Sequence, residues 1–220
     1  MTDSPLPPEM FALRIPPDRP LVVVDVDEVL GLFMRGFETF VGGHGLEMRI
    51  DRFALFQNIY RPGETTHVDL GHGKRLFDAF FESDPHLMEV VPDAPGALAS
   101  LAVAATVVIL TNAPASSRPA RARWLIDNGL PYPLVIGAGP KGRAVAAMAA
   151  RTAEPTAFVD DLLHNLDSVE KEAPRVHRFQ SVADERLRPF APSAPDRHPR
   201  YDAWPDLAAA IAQSLNLKAP

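Results

Sequence analysis

Five short apolar runs along the chain give way abruptly to polar residues. Leu21-Val-Val-Val24 ends in Asp25-Val-Asp27-Glu28, Thr106 to Leu110 ends in Thr111-Asn112, and Leu134-Val-Ile136 ends in glycines and Lys141. Thr156 to Val159 ends in Asp160-Asp161, and a weaker fifth run, Arg175 to Phe179, has no comparable polar end. Unbroken runs of this length, rich in β-branched residues, are the pattern of strands buried on both faces.

Helical spacing fills the gaps between them. Leu30, Phe33, Met34, Phe37 and Val41 recur on one face until Gly42-Gly43, and Leu76, Phe77, Phe80 and Phe81 do so until Asp84-Pro85. Asp93 is placed to cap a helix from Ala94 to Val103, with Pro95 tolerated in its first turn. Asn128-Gly129 closes another, and Trp204 to Leu215 reads as a last amphipathic helix with Leu207, Ala208, Ile211 and Leu215 inward and a fraying tail. Strands alternating with helices predict an α/β fold: a Rossmann-like parallel sheet with helices on both faces. Residues 1–20, punctuated by Pro5, Pro7, Pro8, Pro16, Pro17 and Pro20, are expected to lie extended on the surface. Residues 21–30 and 90–220 form the core domain, and 31–89, where the pattern dissolves into glycines and histidines before resuming, reads as an insertion after the first strand.

Composition narrows the class of function. The 220 residues carry a formal charge of -6, which weighs against binding a nucleic-acid polymer. With no cysteine, neither a disulfide nor a thiolate metal site is possible. No segment is long and apolar enough for a signal peptide or a bilayer span, so the expectation is a cytoplasmic protein acting on a small metabolite. Its oligomeric state, monomer or homodimer, is left open. The mixture of Arg, His and Pro from Arg186 to Arg200 reads as a solvated loop, and His67, Asp69 and His72 only loosely suggest a metal site, because their spacing fits no established zinc pattern.

In a parallel sheet all strand C-termini share one edge, so Asp25, Asp27, Thr111, Asn112, Lys141, Asp160 and Asp161 should converge there. Several carboxylates beside one lysine are electrostatically unstable alone, and an all-oxygen ligand set favours Mg²⁺ as the remedy. Asp25 could then attack phosphorus, with Asp27 protonating the leaving oxygen and later activating water. Thr111, Asn112, the backbone nearby and Lys141 would bind the phosphoryl oxygens.

Taken together, Asp25-Val-Asp27-Glu28-Val29, Thr111-Asn112 after its apolar run, Lys141 in Gly-Pro-Lys-Gly and Phe158-Val159-Asp160-Asp161 resemble the four motifs of the haloacid dehalogenase (HAD) superfamily. The resemblance covers roughly residues 20–215. It implies a Mg²⁺-dependent phosphatase working through an aspartyl-phosphate, with Asp25 as nucleophile and Asp27 as acid/base. It implies Mg²⁺ held by Asp25, the Asp27 main-chain carbonyl and Asp161, with Asp160 in the outer shell or exchanged with Asp161, and Asn165 near the metal's water. The dehalogenating branch lacks the second acid of the first motif, so Asp27 points to phosphoryl chemistry. Glu28 departs from the glycine many relatives carry. The resemblance also makes residues 31–89 a small, mostly helical cap. The style of the motifs is similar to 5′-nucleotidases and deoxyribonucleotidases, in which case Phe33, Phe37 and Tyr60, with Phe40, could stack on a base, although aromatics so spaced more often pack a core.

Three other readings compete. Gly137, Gly139 and Gly142 fit Gly-x-Gly-x-x-Gly with Asp160 some twenty residues on, the fingerprint of a dinucleotide-binding Rossmann module, but Pro140 removes an amide donor where pyrophosphate needs one. A phospho-accepting signalling domain would be shorter and uninterrupted. A catalytically silent HAD-like binding protein would have less reason to keep all four motifs.

Overall fold

The computed structural model describes residues 6–83 and 85–217. Asp84, expected to end a helix, lies outside them, as do Pro5 and the last three residues of the expected fraying tail.

The chain opens with β1 (Leu21–Val24), followed by α1 (Phe33–Gly43), the two-residue strands β2 (Glu47–Met48) and β3 (Ile59–Tyr60), and α2 (Leu70–Ser83). Then come α3 (Ala94–Ala102), β4 (Thr106–Asn112), α4 (Arg118–Asp127), β5 (Leu134–Gly137), α5 (Gly142–Ala149), β6 (Thr156–Asp160), α6 (Leu163–Glu172), β7 (His177–Gln180) and α7 (Trp204–Ser214). Five strands form one parallel sheet in the order β5-β4-β1-β6-β7. β2 and β3 pair antiparallel as a separate hairpin.

The apolar runs are unbroken because each strand feeds two cores. Val22 and Val24 of β1, with Val107, Ile109, Ala157 and Val159, face α1, α3 and α7. Leu21 and Val23, with Val108, Leu110, Val135 and Phe158, face α5 and α6. Alternate residues point to opposite faces of a sheet, so only a strand covered on both sides shows no polar alternation. Among the described residues no helix is long and apolar enough to cross a membrane.

Several expectations are corrected here. The proline-rich lead-in is not an extended surface strand: Pro8–Ala12 form a 3-10 turn, and Met10, Leu13 and Ile15 are buried in the core on the α5 side. Arg151 donates to the carbonyls of Met10 and Leu13, so three apolar residues and two backbone acceptors dock the segment despite its prolines. Asp93 stands at the N-terminus of α3, but at φ 65 its side chain makes no capping bond. Residues 186–200 are not merely solvated: Leu187 and His198 are buried, and Arg186 pairs with Asp184 and Glu38. His67, Asp69 and His72 gather no metal site. Asp69 Oδ1 accepts the His72 amide at 3.1 Å, the bond of an N-cap to α2, and His67 Nδ1 lies against the Val68 carbonyl at 2.7 Å.

The glycine-rich turn after β5 also has a structural explanation. It follows an edge strand, whereas the strand order reverses between β1 and β6, which is where a dinucleotide fingerprint belongs. Gly142 is needed for packing: its amide donates to Ser168 Oγ at 3.0 Å, and a Cβ there would collide with the Ser168 carbonyl oxygen. Gly142→Ala would gain about 1 kcal/mol of helix propensity but lose roughly 3 kcal/mol by forcing α5 and α6 apart. Urea denaturation is expected to show the net loss, and a variant as stable as the parent would contradict this close approach.

Candidate active site

The register of the sheet assembles the site. Val24 pairs with Val159, so the next residues, Asp25 and Asp160, leave adjacent strands side by side. Lys141, at the N-terminus of α5, enters from the turn after β5. Its Nζ lies 2.8 Å from Asp25 Oδ1 and 2.7 Å from Asp160 Oδ2. Burial works against its charge, but Asp160 and Asp25 hold its pKa above the ordinary value, so Lys141 is an ammonium.

The two acids after β6 have different surroundings. Asp160 is fully engaged: Oδ2 takes Lys141, while Oδ1 accepts the Leu162 amide and Asn165 Nδ2, each at 2.9 Å. Asp161 is buried beside it, and among the described residues its carboxylate makes no hydrogen bond or ion pair, Lys141 acting on it only at a distance. Burial, then Asp160, Asp25 and Glu28, push its pKa well above the usual range. Burial also raises Asp160, against the pull of Lys141. One oxygen each from Asp25, Asp160 and Asp161 lie within 4.8 Å of one another. A second group with the right side chains, Asp167, Glu170 and His198, is already neutralised: Arg197 bonds both acids, and Arg178 faces Glu170 and the His198 ring.

Asp27 is turned to a different partner. Arg121 Nη2 sits 2.9 Å from its carboxylate oxygens, with Oδ2 accepting the hydrogen bond. Arg121 is fully buried, with its guanidinium 4.5 Å over the Phe81 ring. Burial raises Asp27 to about 6 in spite of this cation. Sequence reasoning missed Arg121, yet it falls on the same α4 face as buried Trp124 and Leu125, at i+3 and i+4, where an arginine needs a partner.

Glu28 adopts φ 57, the left-handed region that favours glycine. Its carboxylate offsets the strain by accepting the Met34 amide at the start of α1 (2.8 Å) and the Asp184 amide (2.9 Å). Burial lifts its pKa to about 7. Five carboxylates (Asp25, Asp27, Glu28, Asp160, Asp161) thus face two cations, Lys141 and Arg121, a surplus of negative charge that a divalent ion would relieve.

Thr111 and Asn112 close the edge. Thr111 Oγ1 is buried without a hydrogen-bond partner, whereas Asn112 uses its amide on the Gly139 carbonyl at 2.9 Å. A cavity of about 630 Å³ opens above Asp25, Asp27, Lys141 and Asp161. Of the aromatics expected to stack on a base, Phe33 lines it, but Phe37 and Tyr60 do not. Phe37 is sealed in a phenylalanine cluster with Phe33, Phe40 and Phe80, and Tyr60 lies under Arg49 in the hairpin. Phe53 and Phe77 line the cavity with Phe33 instead.

No family model matches the chain, and no curated protein matches its sequence. Solved structures do. A haloacid dehalogenase-like hydrolase from Burkholderia xenovorans LB400 is 17% identical, with 90% of this chain and 99% of that one covered and a TM-score of 0.53. A haloacid dehalogenase-like family protein from Streptococcus pneumoniae is 11% identical, covering 88% and 98% at a TM-score of 0.60. A HAD-hydrolase from Bacillus subtilis, described bound to magnesium, is 13% identical, covering 88% and 99% at 0.60. At these identities the likeness is one of fold: the chain has the fold of the HAD hydrolases.

Proposed function

We propose that the chain is a Mg²⁺-dependent phosphomonoesterase that passes through an aspartyl-phosphate on Asp25. The observation that carries this reading is the meeting of Asp25, Asp160, Asp161 and Lys141 at one sheet edge, with Asp27 two residues beyond Asp25. The donor set suits the metal: all oxygen, strongly anionic, with the Asp161 carboxylate buried and unpartnered. Asp25, Asp161 and the Asp27 carbonyl would hold Mg²⁺, and Asp160, its oxygens already taken, would support from behind. When bound, the ion offsets the crowded negative charge and polarises the phosphoryl group.

In this reading, an Asp25 oxygen attacks phosphorus and the ester P–O bond breaks. The leaving oxygen takes the Asp27 proton. A water then attacks the acyl-phosphate, giving its proton back to Asp27. The bond from phosphorus to the Asp25 oxygen breaks, and phosphate leaves. Lys141, which lines the cavity, is suited to donate to the phosphoryl oxygens, whereas the unpaired Thr111 hydroxyl is fully buried and does not line it. Residues 31–89 act as a cap whose helix α1 and loop before β3 cover the cavity and keep bulk water from the acyl-phosphate. The partner is a small phosphorylated metabolite in the cytoplasm. A nucleotide has weaker support than the motif style suggests, because only Phe33 of the four expected stacking residues (Phe33, Phe37, Phe40 and Tyr60) reaches the cavity.

Phosphate release from a panel of phosphomonoesters, with Mg²⁺ and with EDTA, tests the reading. Metal removal is expected to lower turnover at least about a hundred-fold. EDTA-insensitive release, or silence across the panel with Mg²⁺ present, would overturn it.

A further inference from the structure

The polar floor of the cavity leads into a wall of another kind. Phe33 and Met34 come from α1, Phe53 and Leu55 from the loop between β2 and β3, Phe77 from α2, and Leu187 from the segment after β7. Phe77 packs edge-on against Phe33 (6.0 Å, 70°) and Phe81 (4.7 Å, 76°), so these rings hold a preformed shape.

Charge sharpens the point. Asp25, Asp27, Glu28, Asp161 and Asp167 line the cavity, and among the described residues Lys141 is the only ammonium or guanidinium that does. Lys141 is already held between Asp25 and Asp160. Among the described residues of this cavity a second phosphate or carboxylate on the substrate would find no second ammonium or guanidinium, only the His164 ring and the amides of Asn112 and Asn165; Arg143 and Lys171 line the adjoining cavity instead. A polyhydroxylated body lying along this wall would press hydroxyls against phenylalanine, methionine and leucine, which offer no partner, the polar side chains of Asn112, His164 and Asn165 standing elsewhere in the lining.

We infer that this site takes the phosphomonoester of a neutral alcohol with an apolar, ring-sized body, a conclusion that rests on the phosphomonoesterase reading. The phosphoryl group sits at the carboxylate floor, and the alcohol body fills the wall of Phe33, Met34, Phe53, Leu55 and Phe77.

The test separates wall from chemistry. Titration calorimetry with Mg²⁺ compares two stable P–C analogues, 2-naphthylmethylphosphonate and methylphosphonate. The naphthyl compound is expected to bind about a hundred-fold tighter, and Phe53→Ala, in a half-buried loop position, to remove about ten-fold of that. Equal affinities, or an advantage untouched by Phe53→Ala, would overturn the inference. In turnover, 2-naphthylmethyl phosphate should exceed ribose 5-phosphate, adenosine 5′-monophosphate and fructose 1,6-bisphosphate in kcat/KM. All four leave from primary alcohols, so leaving-group chemistry is matched. Acetyl phosphate, too small to use the wall and with an acetate leaving group that needs no proton from Asp27, reports phosphoryl transfer to Asp25 and its hydrolysis without the wall or the acid step. If it is hydrolysed but the polar esters equal the naphthyl ester, the apolar inference falls by itself. If nothing is hydrolysed but the naphthyl analogue binds tightly, the apolar site stands and the phosphomonoesterase reading falls.

Discussion

Asp25→Asn is expected to abolish phosphate release, by on the order of 10⁴-fold or more, while the protein still folds. The amide keeps the shape of the carboxyl but is no nucleophile toward phosphorus. Folding should be nearly indifferent, because Lys141 keeps its 2.7 Å partner in Asp160 and one like charge leaves a crowded cluster. The two effects nearly cancel, so a stability change within about 1 kcal/mol is expected. Single-turnover assays with Mg²⁺, beside a denaturation curve, decide the matter. Retained turnover in a folded variant would remove Asp25 from the nucleophile's role.

The second large effect belongs to stability. Arg121→Met would leave Asp27, at the cavity edge with its side chain 21% exposed, without its cation, and the thioether cannot replace the guanidinium bond. Breaking one side of a fully buried ion pair costs roughly 3 kcal/mol or more, and the solvent that reaches Asp27 reduces this to about 2 kcal/mol, whereas removing both charges is close to neutral. Arg121→Met should therefore lose about that much in urea denaturation at mildly alkaline pH, and Arg121→Met with Asp27→Asn should recover most of it. Asp27, already lifted to about 6, will rise further in the single variant, so its loss should shrink on acidification as the carboxyl takes up a proton. Independent, additive losses would show that the pair is not coupled.

What could be read from the chain, and what could not, divides along physical lines. The sheet was legible because burial on both faces leaves unbroken apolar runs, and Asp25, Lys141, Asp160 and Asp161 were legible because each follows such a run. Arg121 was obscured by the other arginines of α4: its burial shows only once Trp124 and Leu125 are placed on the same face. The hairpin of β2 and β3 is too short for alternation to register. Aromatic identity also misleads about direction, since Phe33 and Phe37 are one helical turn apart, yet only Phe33 meets the cavity. The lead-in shows the reverse error, where proline count outweighed Met10, Leu13 and Ile15.

Glu28 binds together three parts of the chain that sequence keeps apart. Its carboxylate takes the amides of Met34 and Asp184, and its carbonyl takes that of Ala183. Opening of the loop after β1 would release all three amides at once, so if Glu28 governs this corner they are expected to exchange at one shared, slow rate in a hydrogen-exchange measurement. The side of the site mouth anchored by Glu28 is therefore expected to open as a single unit.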